Sequence, residues 1–268
     1  MTASDDHPLP TSWTGKFLEG AHAPLAGLAF MNRHPSLWRY AALPILINAI
    51  ISTIILICVV LLFVWIINDR PFNRGDTWAW LLLEILLDIV ALVVLLGTVF
   101  AAWLSLGVLL SDYFLDKLVR RVELLLGLSP DEMHDVSLLH SAIDTLKSLS
   151  LLISINLALL TLHVVPVIGS TVGLIGALYW DSLIFGYELF AYPLAVRGKR
   201  REEIKAFTKA HRPYTLGLGA AVLAVGLVPL IGAVTLTTAA TGATLLHRRL
   251  SDSEKLECRN QNVERMSE

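Results

Sequence analysis

A five-residue phrase, valine–proline–aliphatic–isoleucine–glycine, occurs twice within long apolar stretches of this chain, at 165–169 and 228–232. A proline followed three residues later by a glycine interrupts a helix. Interrupted helices at membrane depth are tolerated only where they pack against protein or line a cavity. Paired interruptions of this kind are typical of the substrate path of a transporter. The repeat therefore predicts two helical hairpins, with apices at Pro166, Gly169, Pro229 and Gly232.

Two further apolar runs predict helices that cross the bilayer completely. No charged residue occurs between 41 and 68, and at about 1.5 Å per residue this run is longer than the ~30 Å hydrocarbon core. Trp78 and Trp80 open the second run, over 78–110, as residues of an aromatic belt do. Charged residues make up only 16% of the chain, against about 25% in soluble domains. These features predict an all-α, polytopic membrane protein with two long transmembrane helices and two partial-depth or re-entrant hairpins.

The spans and hairpins are expected to form a single membrane domain over 15–250. Residues 15–34 have the pattern of a short amphipathic helix, which we place in the membrane interface. The polar residues 1–14 are predicted to be disordered. The remaining boundaries predicted from the sequence are hairpins over 149–193 and 214–247 and a polar tail over 251–268.

A charged segment between the second span and the first hairpin predicts a helix that continues out of the membrane. Its charges lie mostly three or four residues apart, as on a solvated helical face. Gly127 and Pro130 are expected to end this helix. The charged residues are Asp112, Asp116, Lys117, Arg120, Arg121 and Glu123.

The distribution of lysine and arginine predicts the topology. The linker between the hairpins is strongly basic, whereas the loop at 68–77 contains only Arg70 and Arg74. The positive-inside rule then places both termini in the cytoplasm and returns each hairpin to the cytoplasmic side. About 15 residues flank Pro229 on each side, roughly 22 Å, which favours a half-membrane hairpin. For the hairpin at Pro166, both depths remain open.

Ser36 and Arg39 are candidates for binding an anion at the start of the first long helix. A helix N-terminus offers free backbone N–H groups and the positive end of the helix dipole. Arg39 could hold a tetrahedral oxyanion through two donors, and Ser36 adds a hydroxyl. The alternative is that Arg39 and Trp38 only anchor the helix at lipid headgroups.

Two further sets of polar residues lie in apolar segments. Glu84 and Asp88 share one face of the second span and suggest coupling to a proton or cation, or pairing within the bundle. Thr237 and Thr241 share one face of the last helix and suggest either a hydrated path or close helix packing. Close contact is also expected at several glycines, among them Gly217, Gly219 and Gly226. Asp181 is expected to have a partner on a neighbouring helix.

The sequence contains no enzyme signature. It has no H-E-x-x-H, no G-x-S-x-G, no phosphate-binding glycine loop and no Cys/His cluster. We therefore expect no catalytic activity, metal or cofactor. Nucleic acid is not expected as a partner, because the basic residues are explained by membrane topology. The partners that we expect are an inorganic anion, the lipid bilayer and further copies of the chain.

Several strings in order resemble the CysZ/etoposide-induced protein 2.4 family over most of residues 25–250. The entrance string Pro35-Ser36-Leu37-Trp38-Arg39-Tyr40, followed by Leu43-Pro44, resembles the family's P-G-[LI]-R-R-[YF]…L-P. Ser36 and Trp38 stand where the family has glycine and the first arginine. Further strings that resemble it are Phe114 to Glu123, Phe190-Ala191-Tyr192-Pro193, Leu216-Gly217-Leu218-Gly219, Pro229-Leu230 and Gly242-Ala243-Thr244.

The resemblance implies two spanning helices with partial-depth hairpins, assembly into oligomers, and sulfate uptake across a bacterial inner membrane. It places sulfate binding at the entrance motif, which corresponds here to Ser36, Leu37 and Arg39. In eukaryotic relatives it implies proteins of the endoplasmic reticulum tied to autophagy and growth control. The leading interpretation is thus a permease or channel for a small inorganic anion, sulfate by resemblance. The alternatives are a non-transporting membrane scaffold or regulator and a transporter of another solute coupled through Glu84 and Asp88.

Overall fold

The structure is a computed structural model in which the larger part of the chain can be described. It describes residues 9–68, 112–134, 138–161, 168–226 and 229–267, together with isolated positions at 78, 82, 85, 86, 89, 90, 92, 93 and 97. The chain divides into two compact units. The first unit comprises Met1–Ala41 and Tyr113–Glu268, and the second comprises Ala42–Asp112.

The described residues form helices and turns and contain no strand, which confirms the all-α class. Within those same ranges, no helix combines the length and the apolar character that crossing a membrane requires. The helices are α1 Trp13–Arg33, α2 Trp38–Asn68, α3 112–125, α4 Leu138–Thr161, α5 Ile168–Val196, α6 Arg201–Ala210, α7 Arg212–Gly226 and α8 Pro229–Ser267.

The two V-P-x-I-G phrases lie where consecutive helices meet. In the second, α7 ends at Gly226 and α8 begins at Pro229, so Gly232 lies in the first turn of α8. Proline is well tolerated at a first helical position, because its missing N–H has no partner there in any helix. In the first, α4 ends at Thr161 and α5 begins at Ile168, with Gly169 as its second residue. Pro166 lies outside the described residues.

The helices extend beyond the hairpin limits expected from the sequence. The first pair begins at Leu138 rather than at 149, and α8 continues through the polar tail to Ser267. Charged and amide side chains are compatible with a helix, so the loss of apolar character at 247 does not end α8. The basic linker also contains a helix, α6, that the sequence analysis did not predict.

Local hydrogen bonds explain where α6 begins. The carboxylate of Glu203 accepts from the backbone N–H of Arg200 at 2.8 Å and from Nζ of Lys199 at 2.8 Å. The side-chain hydrogen bond from Lys199 is the main reason why the pKa of Glu203 is lowered, and the backbone bond from Arg200 adds to it. This arrangement gives one of the free donors at the helix start a partner.

Helices α1, α5, α7 and α8 form the core of the first unit through very close backbone approaches. α1 crosses α7 at Gly20 and Gly217, and it crosses α8 at Gly27 and Gly242. α5 crosses α7 at Gly186 and Gly219. At each of these glycines an added Cβ would lie between 1.8 and 2.2 Å from a carbonyl oxygen of the facing helix. Such contacts are possible only where both surfaces lack side chains.

The close contact expected at Gly217 and Gly219 is therefore confirmed, but the one expected at Gly226 is wrong. Among the described residues, no heavy atom lies within 4 Å of the position that a Cβ of Gly226 would occupy. Gly226 is the last residue of α7, beyond the part of that helix that crosses α1 and α5.

The solvated face expected on α3 is also wrong for one residue, Glu123. Its side chain is completely buried, and both of its oxygens accept from Arg197, at 3.0 Å from Nε and 2.8 Å from Nη2. Glu123 lies beside an apolar stripe of α3 that packs into the core. The stripe comprises Leu115, Leu118, Val119 and Val122. The end of α3 at 125, followed by Gly127 with φ of 91° and a 3-10 turn from Pro130, confirms the predicted stop.

Replacing Gly27 by alanine is expected to destabilise the first unit. The new methyl group would lie 1.9 Å from the carbonyl oxygen of Thr238 and 2.6 Å from the amide nitrogen of Gly242, so the helices must separate. Overpacking of this kind costs about 1–3 kcal/mol. The measurement is the free energy of unfolding in detergent, followed by tryptophan fluorescence. Gly226→Ala is the matched control, and equal losses for the two variants would contradict the proposed role of the close approach.

Removing the positive partner of Glu123 is also expected to be destabilising. Arg197→Met removes both guanidinium donors from the buried Glu123 carboxylate. Removing one partner of a buried ion pair costs about 3 kcal/mol. The double variant Glu123→Gln with Arg197→Met is expected to recover much of the loss, because no buried charge remains. Lys199→Met, which breaks the exposed pair with Glu203, is expected to have the same free energy of unfolding as the wild type. Equal free energies of unfolding for Arg197→Met and for the double variant would contradict this account.

Candidate functional site

The proposed anion-binding segment lies at the junction of α1 and α2, in the first unit. A short 3-10 turn, Pro35–Leu37, connects the two helices. Ser36 and Arg39 are both exposed, on either side of the buried Leu37. The turn thus fixes the backbone by burying one apolar side chain and leaves the two polar side chains at the surface.

Arg39 is held by its neighbour in the chain. Its guanidinium carbon lies 5.1 Å from the centre of the Tyr40 ring, and Nη2 donates to the Tyr40 hydroxyl at 3.3 Å. A cation stacked on a ring face keeps its outer donors available for a further acceptor. The sequence analysis named Arg39 but did not identify Tyr40 as the residue that orients it.

Two backbone N–H groups at this junction, those of Leu37 and Trp38, are already used. The N–H of Leu37 donates to the His34 carbonyl at 2.9 Å, and the N–H of Trp38 donates to the Pro35 carbonyl. Leu37 itself is fully buried in the core. Any anion bound here would therefore be held by the side chains of Ser36 and Arg39 rather than by the amides of Leu37 and Trp38.

Of the four residues proposed for a path or for coupling, the structure describes two. Glu84 and Asp88 lie outside the described residues. Thr237 and Thr241 are buried in α8, where their hydroxyls donate to the carbonyls of Val234 at 2.8 Å and of Thr237 at 3.0 Å. Hydroxyls bonded to their own helix satisfy themselves locally, an arrangement that agrees with helix packing.

A polar contact joins the two helices of the first hairpin. Nδ2 of Asn156 on α4 donates to Oδ1 of Asp181 on α5 at 2.8 Å. This confirms the expected partner for Asp181 on a neighbouring helix. The bond lies inside the apolar part of the hairpin, where a carboxylate without a hydrogen bond would be costly.

A second group of polar side chains was not recognised in the sequence. The N-terminal turn of α1 and the junction of α6 with α7 border an open cavity of about 270 Å³, lined in part by Trp13, Lys16, His211 and Tyr214. These residues lie almost 200 positions apart in the chain. Their spacing therefore gave no signal, and only the crossing of α1 with α7 brings them together.

The comparison with known protein families gives one match. The model of the family described as sulfate transporter CysZ/etoposide-induced protein 2.4 matches residues 23–236, which is most of the chain. The matched region includes the junction at Ser36 and Arg39 and both V-P-x-I-G phrases. No curated protein matches the chain.

Proposed function

The chain belongs to the sulfate transporter CysZ/etoposide-induced protein 2.4 family, and on that premise we propose that it is a membrane permease or channel for a small inorganic anion, sulfate first. The observation that carries the proposal is the exposed pair of Ser36 and Arg39 within the matched region. In this proposal it is an integral protein of a bacterial inner membrane. Both termini lie in the cytoplasm, and several copies of the chain assemble.

The apolar surface of α2 supports a membrane environment for the second unit. Beyond position 41 this helix has no charged residue, and large apolar side chains are exposed at helical spacing along it. They include Leu43, Leu46, Ile50, Ile54, Ile57, Leu61 and Val64. Contiguous exposed apolar surface of this kind is rare in soluble monomers and is typical of contact with lipid or protein.

The first hairpin supports the same environment for the first unit. α4 packs mainly on α5, and both helices leave large apolar side chains exposed. These are Ile143, Leu146, Leu151, Ile153, Leu157, Val172, Leu174, Ile175, Leu178 and Trp180. In this proposal lipid covers these faces, and the hairpin whose apex contains Pro166 and Gly169 enters the bilayer.

In this proposal, side chains rather than the amides of Leu37 and Trp38 bind the anion. The guanidinium of Arg39 presents parallel donors that match the geometry of a tetrahedral oxyanion, and the hydroxyl of Ser36 adds a donor beside it. Stacking on Tyr40 reduces the rotamer freedom that Arg39 loses on binding. The hairpin apices at Pro229 and Gly232 are proposed to border the path. Thr237 and Thr241 are assigned to helix packing, and Glu84 and Asp88 are the proposed coupling residues of the alternative, a transporter of another solute.

Replacing Arg39 by alanine is expected to reduce sulfate flux. Hydrogen bonds to a charged group contribute about 1.5–3 kcal/mol, so the loss should be at least about ten-fold at limiting sulfate. The measurement is the uptake of radiolabelled sulfate into proteoliposomes of the full chain. Arg39→Lys keeps the charge but loses the paired donors, and it should recover only part of the flux.

The control is Arg259→Ala, which removes an exposed arginine from the polar end of α8. It should transport sulfate as the wild type does. Flux that is unchanged by Arg39→Ala would eliminate the role of that residue. An absence of flux for every inorganic anion tested would eliminate the transport class and favour the membrane scaffold, which the use of the Leu37 and Trp38 amides within the turn also favours.

A further inference from the structure

The cavity between α1 and the junction of α6 with α7 has the size of a small ligand site. Its volume is about 270 Å³, close to the lower limit of small-molecule pockets, about 300 Å³. Trp13 and Lys16 line it from α1, and Ala210, His211 and Tyr214 line it from the opposite side. All of these residues belong to the first unit.

Lys16 is the cation of this cavity. Its side chain is half-buried, and within the described part of the chain its ammonium group has no hydrogen-bond or ion-pair partner. The carboxylate one turn further along α1, Glu19, is paired with Arg249 on α8. An ammonium group carries three donors, so Lys16 offers a charge and several hydrogen bonds to whatever enters the cavity.

Tyr214 adds a hydroxyl that opens onto the cavity. The residue as a whole is only 3% exposed, yet its hydroxyl is not one of the fully buried polar atoms that lack a partner in the described ranges. Over those ranges no protein group forms a hydrogen bond with it. The hydroxyl is therefore able to donate to an acceptor bound in the cavity, whose wall includes Tyr214.

His211 provides the third polar group. Its Nδ1 lies 3.1 Å from the Phe207 carbonyl, which can only accept, so this nitrogen carries a hydrogen. Its Nε2 lies 3.4 Å from Oε1 of Glu254, a carboxylate that is 59% exposed. Water screens such an exposed pair, and Glu254 therefore offsets little of the positive potential from Lys16.

The surface around the cavity resembles that of a membrane interface. Trp13 is 57% exposed and stacks on Phe17 with ring centres 5.7 Å apart. On the side of α6, Lys205 and Lys209 are exposed. Tryptophan with basic residues is typical of the headgroup level of a bilayer.

We propose that this cavity binds the phosphate group of an anionic phospholipid, with Lys16 as its cation, Tyr214 as a hydroxyl donor and His211 as part of its wall. Trp13 then contacts the glycerol and the upper acyl chain. The cavity is larger than a bare tetrahedral ion requires, which favours an esterified phosphate over free sulfate or phosphate. The proposal rests on the membrane location in the proposed function but not on transport.

The phospholipid site is separate from the entrance at Ser36 and Arg39. Lys16 lies near the first residue of α1, and Arg33 is the last residue of that helix. These two positions are about 25 Å apart along the helix axis. The two sites therefore lie at opposite ends of α1 and can be tested independently.

Native mass spectrometry of the full chain in detergent tests the site. Phosphatidylglycerol is added, with phosphatidylcholine as the neutral-headgroup comparison, and the retained lipid adducts are counted. Lys16→Gln is expected to weaken retention of phosphatidylglycerol about ten-fold, because a charge-assisted contact is lost. Ala210→Leu is expected to have a similar effect by filling the cavity without changing its charge.

Lys117→Gln is the matched control, since it removes an exposed lysine of α3 that does not line the cavity, and it should retain phosphatidylglycerol as the wild type does. Equal retention by all variants, or equal retention of the two lipids, would overturn the proposal. A different result would be that the wild type binds glycerol phosphate or inorganic phosphate, that Lys16→Gln loses this binding and that no lipid adduct forms. This result would show that the ligand is a free phosphate and not a phospholipid headgroup, and it would overturn the proposal. Sulfate flux measured on Lys16→Gln separates this site from transport, because flux should persist while lipid retention falls.

Discussion

The packing of the first unit depends on backbone touching backbone. At three crossings, a glycine on each helix allows the carbonyl groups of the facing helix to approach to a distance that no side chain would permit. In the membrane environment proposed above, lipid tails are as apolar as leucine, so apolar burial gives the helices little reason to associate. Dispersion contacts over closely matched surfaces have to hold them together, and they fall off steeply when the surfaces separate. The stability of α1, α5, α7 and α8 as a group follows from this fit.

α1 is the element through which this fit reaches both proposed sites. It contacts α7 and α8 along its buried stripe of Gly20, Ala23, Pro24, Gly27 and Met31. Its first turn forms one wall of the cavity with Lys16, and its last turn leads directly into the junction with Ser36 and Arg39. A helix fixed at its middle by backbone contacts holds both ends in place. The positions of two chemically different sites thus depend on the same small residues.

The sequence was sufficient for the helical class, the interruption between α7 and α8 and the end of α3, because apolar runs, prolines and glycines act locally. It was insufficient wherever a partner lies far away in the chain. Glu123 resembles its solvated neighbours until Arg197, 74 positions later, is placed beside it. Gly226 resembles Gly219, but only the latter faces another helix. The apolar residues of α1 suggested a helix in the membrane interface, whereas the structure packs its small residues Gly20 and Gly27 against α7 and α8. At the candidate entrance, the sequence identified the side chains of Ser36 and Arg39. It could not show that the N–H groups of Leu37 and Trp38 form hydrogen bonds within the 3-10 turn.

The two hairpins whose apices share the V-P-x-I-G pattern differ in how they are supported. Both helices of the second hairpin, α7 and α8, lie within the glycine-packed group. In the first hairpin α5 belongs to that group, whereas α4 packs mainly on α5 and leaves its outer face exposed. In the membrane location proposed above, a thicker, thinner or more curved bilayer would therefore displace α4 before it distorts α7 or α8. Similar apex sequences thus occur in two hairpins of different stiffness.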